Sequence, residues 1–153
     1  MLRAVEPGRI VVEEIPHGGP RWRETLDHRD RILRRPLGLK LNDSDLRGEA
    51  RQRHFALLED GCLVAGLVAL PPADGSVRLR QMWVTESRQG RGLGRLLLET
   101  VAARLADEGI RELVLHAREP VLAFYEGSGF QAEGPTFEEV GIPHRVMRRR
   151  LPG

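Results

Sequence analysis

The sequence predicts an α/β fold built on one mixed, mostly antiparallel sheet with helices packed against it. Short apolar or alternating runs bounded by Gly, Pro and Asp indicate several strands, and a helical repeat of leucines begins after Gly92. Because this helix joins two predicted strands as a crossover, those two strands must run parallel. At 153 residues, 41% of them hydrophobic and 30% charged, the chain has the size and composition of a single domain over residues 1–153.

The first half of the chain is predicted as a strand, a helix, a loop and three further strands. Pro36 ends the helix, because proline cannot donate the backbone hydrogen bond that a continuing helix requires. Asp60-Gly61 and the segment PPADG join the three strands as turns, which is typical of an antiparallel meander. The predicted bounds are a strand over 9–15, a helix over 20–36, a loop over 37–53 with room for one short helix, and strands over 54–60, 62–70 and 76–85.

The second half is predicted as a long helix, a strand, a short helix and two closing strands. The long helix covers 92–109, and its apolar face is formed by Leu93, Leu96, Leu97, Val101 and Leu105. The run RELVLHA predicts a strand over 111–117, and the segment VLAFYEGSGF predicts a short helix closed by Gly129. The last two strands lie around Phe137 and over 145–151, and a sheet edge at the C-terminus could support a homodimer.

Composition and patterning exclude several classes of protein. The apolar runs are short and interrupted by charge, so no membrane span is predicted, and the N-terminus lacks the apolar stretch of a signal peptide. We therefore expect a cytoplasmic protein without a membrane partner. The net charge of +2 is too small to indicate a nucleic-acid surface, and Arg148–Arg150 are interpreted as a solvated strand end. Cys62 lies in the apolar run CLVAGLVAL, which favours a buried structural thiol, and no cluster of metal ligands is visible.

The segment RQGRGLGRLL (88–97) places Gly90, Gly92 and Gly94 directly in front of the long helix. Glycine loses more backbone entropy on folding than other residues do, which lowers the stability of the folded turn. A fold retains glycines where a ligand or another part of the chain must approach the backbone closely. At a helix N-terminus, unpaired N–H groups and the positive end of the helix dipole form a phosphate-binding site. The Lys-Ser/Thr pair of a P-loop and the dinucleotide-binding spacing GxGxxG are both absent. On these residues alone, a Gly-rich surface turn remains the alternative.

The segment QGRGLG resembles the Q/R-x-x-G-x-G/A signature of the GCN5-related N-acetyltransferases (GNAT), and the resemblance extends from residue 54 to residue 130. It implies the GNAT fold, in which two parallel strands splay apart around acetyl-CoA, the acetyl donor. The N–H groups of the turn are then expected to bind the pyrophosphate, and the backbone of the preceding strand to pair with the pantetheine arm. The residues implied are Gln89, Gly90, Arg91, Gly92, Leu93, Gly94 and Arg95 in the turn and Met82, Trp83 and Val84 in the strand.

Tyr125, in the segment AFYEGSGF, matches the acid that this family places near the sulfur of coenzyme A. The resemblance implies that its hydroxyl protonates the leaving thiolate. The residue type alone equally allows a tyrosine packed beside Phe124 in the core. One departure concerns the loop AREPV, which lacks the asparagine that many relatives carry there, so contacts from this loop to the pantetheine are in doubt.

A narrower resemblance concerns the acetyl acceptor. The stretches RILRRP, RLRQM, HAREP and VGIPHRVM are similar to segments of the bacterial glyphosate acetyltransferases and their "GIPH" relatives. That branch implies that Arg34, Arg80 and Arg118 hold anionic groups of the acceptor and that His144 is the general base. Arginine suits the first role because its planar fork matches a carboxylate or phosphonate, and histidine suits the second because it titrates near neutral pH. Surface arginines and a loop histidine are the alternatives, and Ile142 is an apparent insertion beside His144.

These residues together predict an acetyl-CoA-dependent N-acetyltransferase acting on the amine of a small anionic acceptor, amino-acid-like or phosphonate-like. We expect the amine to attack the thioester directly, and the backbone N–H near Val84 to stabilise the oxyanion. His54 is expected to be a further polar group in the cleft. No metal is expected to take part. Two alternatives remain open. The chain could acetylate a peptide, a protein or an aminoglycoside, or it could be a non-catalytic acetyl-CoA-binding module.

Overall fold

A seven-stranded sheet forms the centre of the computed structural model, which describes residues 8–152. The strands are β1 (Ile10–Ile15), β2 (Arg53–Glu59), β3 (Cys62–Ala69), β4 (Ser76–Val84), β5 (Glu112–Arg118), β6 (Gln131–Glu139) and β7 (Ile142–Arg150). The helices are α1 (Pro20–Arg29), α2 (Asp43–Leu46), α3 (Leu93–Asp107) and α4 (Leu122–Glu126). None of the helices between residues 8 and 152 is both long and apolar enough to cross a membrane. The expectation about a signal peptide rests partly on residues 1–7, which lie outside the described residues.

The strand order is β1-β2-β3-β4-β5-β7-β6, and all neighbouring strands are antiparallel except β4 and β5. Helix α3 connects these two parallel strands as the crossover. The predicted α/β fold with one mixed, mostly antiparallel sheet is therefore confirmed. The last strand, β7, lies inside the sheet between β5 and β6, so the sheet edge expected at the C-terminus is formed by β6 instead.

Helix α3 packs on one face of the sheet, and α1 packs on the other face over β1 to β4. On the α1 side the ring of Trp83 is buried and stacks on His28, with the ring centroids 4.5 Å apart. On the α3 side the expectation for Leu96 is wrong, because its side chain is 41% exposed. The buried stripe of α3 instead includes Leu98 and Ala102, and is therefore centred closer to these residues than predicted.

The helix predicted over 20–36 is α-helical only over α1. The chain continues as a π-helical turn, Asp30–Arg34, and then as a 3₁₀ turn, Arg35–Leu37. Pro36 accounts for the loss of α form, because it lacks the N–H that would bond four residues back. The loop predicted over 37–53 contains α2, so the prediction of one short helix there is confirmed.

Cys62 is exposed, and the expectation of a buried thiol is wrong. It is the first residue of β3 and directly follows the turn at Asp60-Gly61. The apolar run therefore begins one residue before the strand enters the core.

Glu49 is a fully buried carboxylate that joins α1 to β4. Its oxygens accept hydrogen bonds from Arg29 Nη1 at 3.0 Å, from Arg80 Nη1 at 2.7 Å and from Trp22 Nε1 at 3.1 Å, with a second bond from Arg29 Nη2. Burial raises the pKa of Glu49, but the hydrogen bonds and charges of the two arginines outweigh burial and lower this pKa to about 2. The carboxylate is therefore ionised wherever the protein is folded near neutral pH.

We expect Glu49→Gln to lower the free energy of unfolding by about 3–5 kcal/mol, because it leaves the buried Arg29 without its counter-charge. Urea denaturation followed by circular dichroism measures this loss. Glu126→Gln removes a carboxylate from an exposed position and is the matched control.

Because of Glu49, the stability of the protein is expected to fall at acidic pH. Because the folded pKa of about 2 lies below the ordinary 4.5, the contribution of Glu49 is complete above about pH 4.5 and is lost as the pH falls toward 2. The Glu49→Gln variant is expected to lack this part of the pH dependence. A variant that unfolds like Glu126→Gln at every pH would show that the ion pairs of Glu49 do not stabilise the fold.

Candidate functional site

Strands β4 and β5 separate after a short parallel ladder. Residues Ser76–Arg78 pair with Glu112–Val114, and no later pair forms between these strands among the described residues. In β4, Gln81 has a positive φ of 49°, and the register with β3 shifts at this point. Such a bulge leaves one residue unpaired and bends the strand. Arg29 holds the bulge through its Nε, which donates to Gln81 Oε1 at 2.6 Å, and a gap opens between β4 and β5.

The edge of β4 that faces this gap has backbone groups available to a ligand. The N–H of Thr85 donates to β3 at 2.8 Å, so alternation along the strand turns the backbone groups of Val84 and Met82 toward the gap. Trp83 pairs with β3 instead, and its buried side chain lies on the α1 side. Gln89 Nε2 donates to Val84 O at 2.9 Å, which ties the glycine turn to this edge. The N–H groups of this edge can pair with an extended ligand, as an added strand does.

The glycine turn presents a run of unpaired backbone donors. Over Gly90–Arg95, no N–H group donates to another group within residues 8–152. Gly90 and Gly92 both have a φ of 78°, and a Cβ on either would meet no heavy atom within 4 Å, so open space borders the turn. Gly94 differs, because its Cβ would lie 3.2 Å from Met82 Cε, and its lack of a side chain lets α3 pack closely on β4. The turn thus offers an anion several N–H groups at the start of a helix.

Two of the arginines at this turn are already paired. Glu59 accepts from Arg88 Nε at 2.5 Å and from Arg91 Nη2 at 3.1 Å. Arg95 extends over α4, where a Cβ on Gly127 would lie only 2.7 Å from its Nη2. Glu59 thus offsets part of the charge of Arg88 and Arg91, and the backbone N–H groups and Arg95 are left as the anion-binding features of the turn.

A cleft of about 300 Å³ runs through the gap between β4 and β5. Its walls include the residues predicted to carry the chemistry, namely Arg34, Arg80, Met82, Arg118, Tyr125 and His144. They also include polar residues that the sequence did not indicate, namely Ser44, Asp45, Arg78, Gln81, His116 and Glu139. The structure therefore brings together residues from the π-helical turn, β4, β5, α4 and β7 that are more than a hundred positions apart in the chain.

The hydroxyl of Tyr125 reaches the gap. It lies 3.7 Å from Met82 Sδ, while the ring packs edge-on against Phe124 and Phe130, with centroids 5.0 and 5.7 Å away. Burial raises the pKa of Tyr125 to about 12, so the hydroxyl stays protonated near neutral pH and is available as a hydrogen-bond donor. The Tyr125 ring can therefore pack in the core while its hydroxyl is available in the gap.

His144 lies on β7 rather than in a loop, and its ring is buried in the cleft wall. Nδ1 lies 2.9 Å from the carbonyl oxygen of Ile142. Because a carbonyl only accepts, Nδ1 must carry the ring proton, and in the neutral ring Nε2 is left as an acceptor. Nε2 lies 3.7 Å from Glu139 Oε2. The ring is thus held in the tautomer that a general base requires.

His54 does not line the cleft, and its expected place there is wrong. It is buried on the α1 side, where its ring lies near His17 and Trp22 and Nε2 lies 2.9 Å from Glu49 O. Burial lowers the pKa of His54, which favours the neutral ring. Its role is structural.

The three predicted arginines differ in their pairing. Arg34 holds Asp45 with its Nη2 2.8 Å from Oδ1, and Arg80 is bound to the buried Glu49. The guanidinium of Arg118 makes no hydrogen bond or ion pair with any residue in the described part of the chain, although the residue itself pairs with His144 in the β5–β7 ladder. The sequence did not indicate these pairings, because the acids come from the loop before β2 and no spacing rule places that loop over β4. Of the three, Arg118 alone presents an unpaired guanidinium to the cleft.

A family model described as an acetyltransferase (GNAT) domain matches residues 40–151 of the chain. Among curated proteins, the uncharacterized protein YyaT of Bacillus subtilis is 24% identical over 76 residues, which cover 50% of this chain and 51% of that protein. The chain spans about half the length of the curated relatives it matches.

Several solved structures share the fold over nearly the whole chain. An acyl-CoA N-acyltransferase from Pseudomonas aeruginosa has a TM-score of 0.77 at 23% identity, covering 92% of this chain and 99% of its own. The ribosomal-protein-S18-alanine N-acetyltransferase of Escherichia coli has a TM-score of 0.75 at 18% identity, with 94% of each chain covered. A GNAT family acetyltransferase from Elizabethkingia anophelis, solved with acetyl-CoA bound, has a TM-score of 0.73 at 16% identity, covering 93% of this chain and 98% of its own. With a family model matched over most of its length and this fold, the chain belongs to the GNAT acetyltransferase family.

Proposed function

We propose that this protein is an N-acetyltransferase that moves an acetyl group from acetyl-CoA to the amine of a small, anionic acceptor. The single observation that carries the proposal is the cleft at the β4–β5 gap. In it, a proton acceptor (His144 Nε2), a proton donor (Tyr125) and an unpaired guanidinium (Arg118) lie beside free backbone groups of β4.

The glycine turn and the edge of β4 fit the two parts of the donor. The unpaired N–H groups over Gly90–Arg95 suit the pyrophosphate, and the open space beside Gly92 leaves room for it. The backbone of Met82 suits an amide group of the pantetheine arm, which would pair as an added strand. Val84 O already accepts from Gln89, and the N–H of Val84 is left for the thioester. The bound acetyl-CoA of the Elizabethkingia relative supports this assignment.

The chemistry follows from the positions of His144 and Tyr125. His144 Nε2 accepts a proton from the acceptor's ammonium, and the freed amine attacks the thioester carbonyl. The N–H of Val84 faces the gap and stabilises the oxyanion of the tetrahedral intermediate. When the tetrahedral intermediate collapses, the C–S bond breaks and the thiolate takes the proton of the Tyr125 hydroxyl. The second proton of the attacking nitrogen restores that hydroxyl, so the amide and the thiol are both neutral. No covalent enzyme intermediate is required.

The charges of the cleft favour an anionic acceptor. Arg118 supplies a free planar fork, and Arg34 and Arg80 add positive potential that their carboxylates offset only in part. The resemblance of RILRRP, RLRQM, HAREP and VGIPHRVM to the glyphosate acetyltransferases supports the same class. The arginines of the cleft disfavour a polycationic acceptor such as an aminoglycoside, whereas a non-catalytic module would need neither His144 nor Tyr125.

We expect Gly92→Val to weaken acetyl-CoA binding by about tenfold or more, because a side chain would enter the space beside the unpaired N–H groups. Isothermal titration calorimetry measures the dissociation constant. Gly61→Val is the matched control, because Gly61 also has a positive φ, 80°, and open space around its Cβ, but lies in the β2–β3 turn. Equal affinities in the two folded variants would remove the turn from the donor site.

His144→Ala is expected to reduce turnover by about 100- to 10,000-fold, the usual contribution of a general base, while acetyl-CoA affinity stays nearly unchanged. A free-thiol assay follows turnover, and His17→Ala, which alters an exposed histidine outside the cleft, is the control. If His144→Ala lowers the melting temperature but retains activity, the histidine is structural.

The acceptor class is tested with a panel of amino acids, aminophosphonates, spermidine and an aminoglycoside, using the same assay. We expect the best acceptor to be anionic, and Arg118→Lys to lower its kcat/KM by about ten- to a hundredfold, because the planar fork is lost although the charge remains. Arg23→Lys, on the exposed side of α1, is the control. If spermidine or the aminoglycoside is the best acceptor and Arg118→Lys has no effect, the anion site is wrong.

A further inference from the structure

Glu139 places a carboxylate in the cleft that the chemistry described so far does not use. Its Oε1 lies 2.9 Å from His116 Nδ1 and 3.6 Å from Arg78 Nη2, and Arg78 Nη2 also lies 2.9 Å from that Nδ1, so Oε1 is directed at these two side chains. Its Oε2 lies 3.7 Å from His144 Nε2, a distance too long for a hydrogen bond. One oxygen of Glu139 is therefore free and faces the proton acceptor of the cleft.

The hairpin between β6 and β7 holds Glu139 in this position. Glu139 pairs with Ile142, and the two residues between them, Val140 and Gly141, both have positive φ values, 47° and 76°. Two-residue turns of this kind match the twist of the strands they join. Alternation along β6 turns Glu139 toward the cleft and the neighbouring Glu138 away from it. The carboxylate thus reaches past β7 to side chains on β5 and β4.

The other two carboxylates near the cleft differ from Glu139 in their availability. Glu49 is fully buried and accepts bonds from three side chains. Asp45 is held by Arg34 and also accepts from the N–H of Asn42, and its side chain is only 12% exposed. The side chain of Glu139 is 38% exposed. Among the described residues that line the cleft, Glu139 is the carboxylate with an oxygen available to a ligand.

We infer that Glu139 Oε2 binds the ammonium group of the acceptor and presents it to His144 Nε2, so that the acceptor is a zwitterion with a protonated amine and an anionic group. Two acceptor atoms 3.7 Å apart can both lie about 2.9 Å from a single ammonium nitrogen. The anionic group of the same molecule then meets Arg118, which pairs with His144 in the β5–β7 ladder and also lines the cleft. This inference rests on the proposed acetyl transfer and specifies its acceptor.

The proton balance of the first step follows from this arrangement. One N–H bond of the bound ammonium breaks, its proton goes to His144 Nε2, and the lone pair of nitrogen becomes available for the thioester. The imidazolium that forms faces the carboxylate of Glu139 and is stabilised by its charge. A hydroxyl in place of the amine can still donate to the carboxylate, but it is neutral and forms no ion pair, so amino compounds are selected over their hydroxy analogues.

The experiment compares the affinity of the best anionic acceptor of the panel with that of its hydroxy analogue, as in aspartate with malate or aminomethylphosphonate with hydroxymethylphosphonate. Titration calorimetry measures both ligands with the wild type, Glu139→Gln, Glu139→Asp and Glu138→Gln. We expect the wild type to prefer the amine by about tenfold or more, and Glu139→Gln to lose this preference while binding the hydroxy analogue as before. Glu139→Asp retains the charge and should restore part of the preference.

Glu138→Gln makes the same change of charge one residue away on the exposed side of β6, and should retain the full preference. If Glu139→Gln lowers the affinity for the amine and for its hydroxy analogue equally, Glu139 has a structural role and the inference is overturned. The inference is also overturned if Glu139→Gln prefers the amine as strongly as the wild type does. If no anionic amine is acetylated, the proposed function fails and the inference falls with it. If anionic amines are acetylated in an Arg118-dependent way while Glu139→Gln behaves like Glu138→Gln, only the inference fails.

Discussion

The buried guanidinium of Arg29 is the interaction on which the rest of the site depends. Its side chain is 1% exposed, and its three nitrogens are shared between Gln81 at the bulge of β4 and the carboxylate of Glu49. An arginine at such a depth is tolerated only when its hydrogen bonds and its counter-charge are both provided. Because Glu49 also binds Arg80, one network fixes the point where β4 turns away from β5 and the wall of the cleft beside that point.

The fold and the geometry of the glycine turn, which we propose binds the donor, were largely predictable from the sequence, because both depend on local signals. Alternating and helical patterns of hydrophobic residues predicted the strands and α3. The glycines before α3 indicated the turn whose N–H groups are unpaired. Two predictions that were wrong also concerned the burial of single residues at the edge of a local pattern. Leu96 lies at the border of the helical stripe and Cys62 at the border of a strand, where a pattern alone does not decide which side faces solvent.

The acceptor side was predictable only in part, because it depends on which distant segments meet. Resemblance led to Arg34, Arg80, Arg118 and His144, and all four line one cleft. Their partners could not be read from spacing, because ion pairs such as Arg34 with Asp45 depend on how the loop before β2 folds over the sheet. Glu139 is indistinguishable in sequence from its neighbour until the register of the β6–β7 hairpin is known. Solved structures near 20% identity share the architecture and leave the acceptor open, because a shared fold does not specify the side chains of a site.

Val140 has a strained backbone conformation and also lines the cleft, so the residue at this position affects both the stability of the protein and the shape of its cleft. A β-branched residue with a φ of 47° is strained by about 1–2 kcal/mol relative to a residue that enters this region freely, such as the glycine that follows it. Asparagine at this position would form the turn more favourably, yet it would replace an apolar part of the cleft wall with an amide beside Glu139. If the cleft binds the acceptor as proposed, the hairpin tip is a position where thermal stability and acceptor binding favour different residues. Laboratory evolution of this protein for heat resistance would be expected to change Val140 early and to alter its choice of acceptor as a side effect.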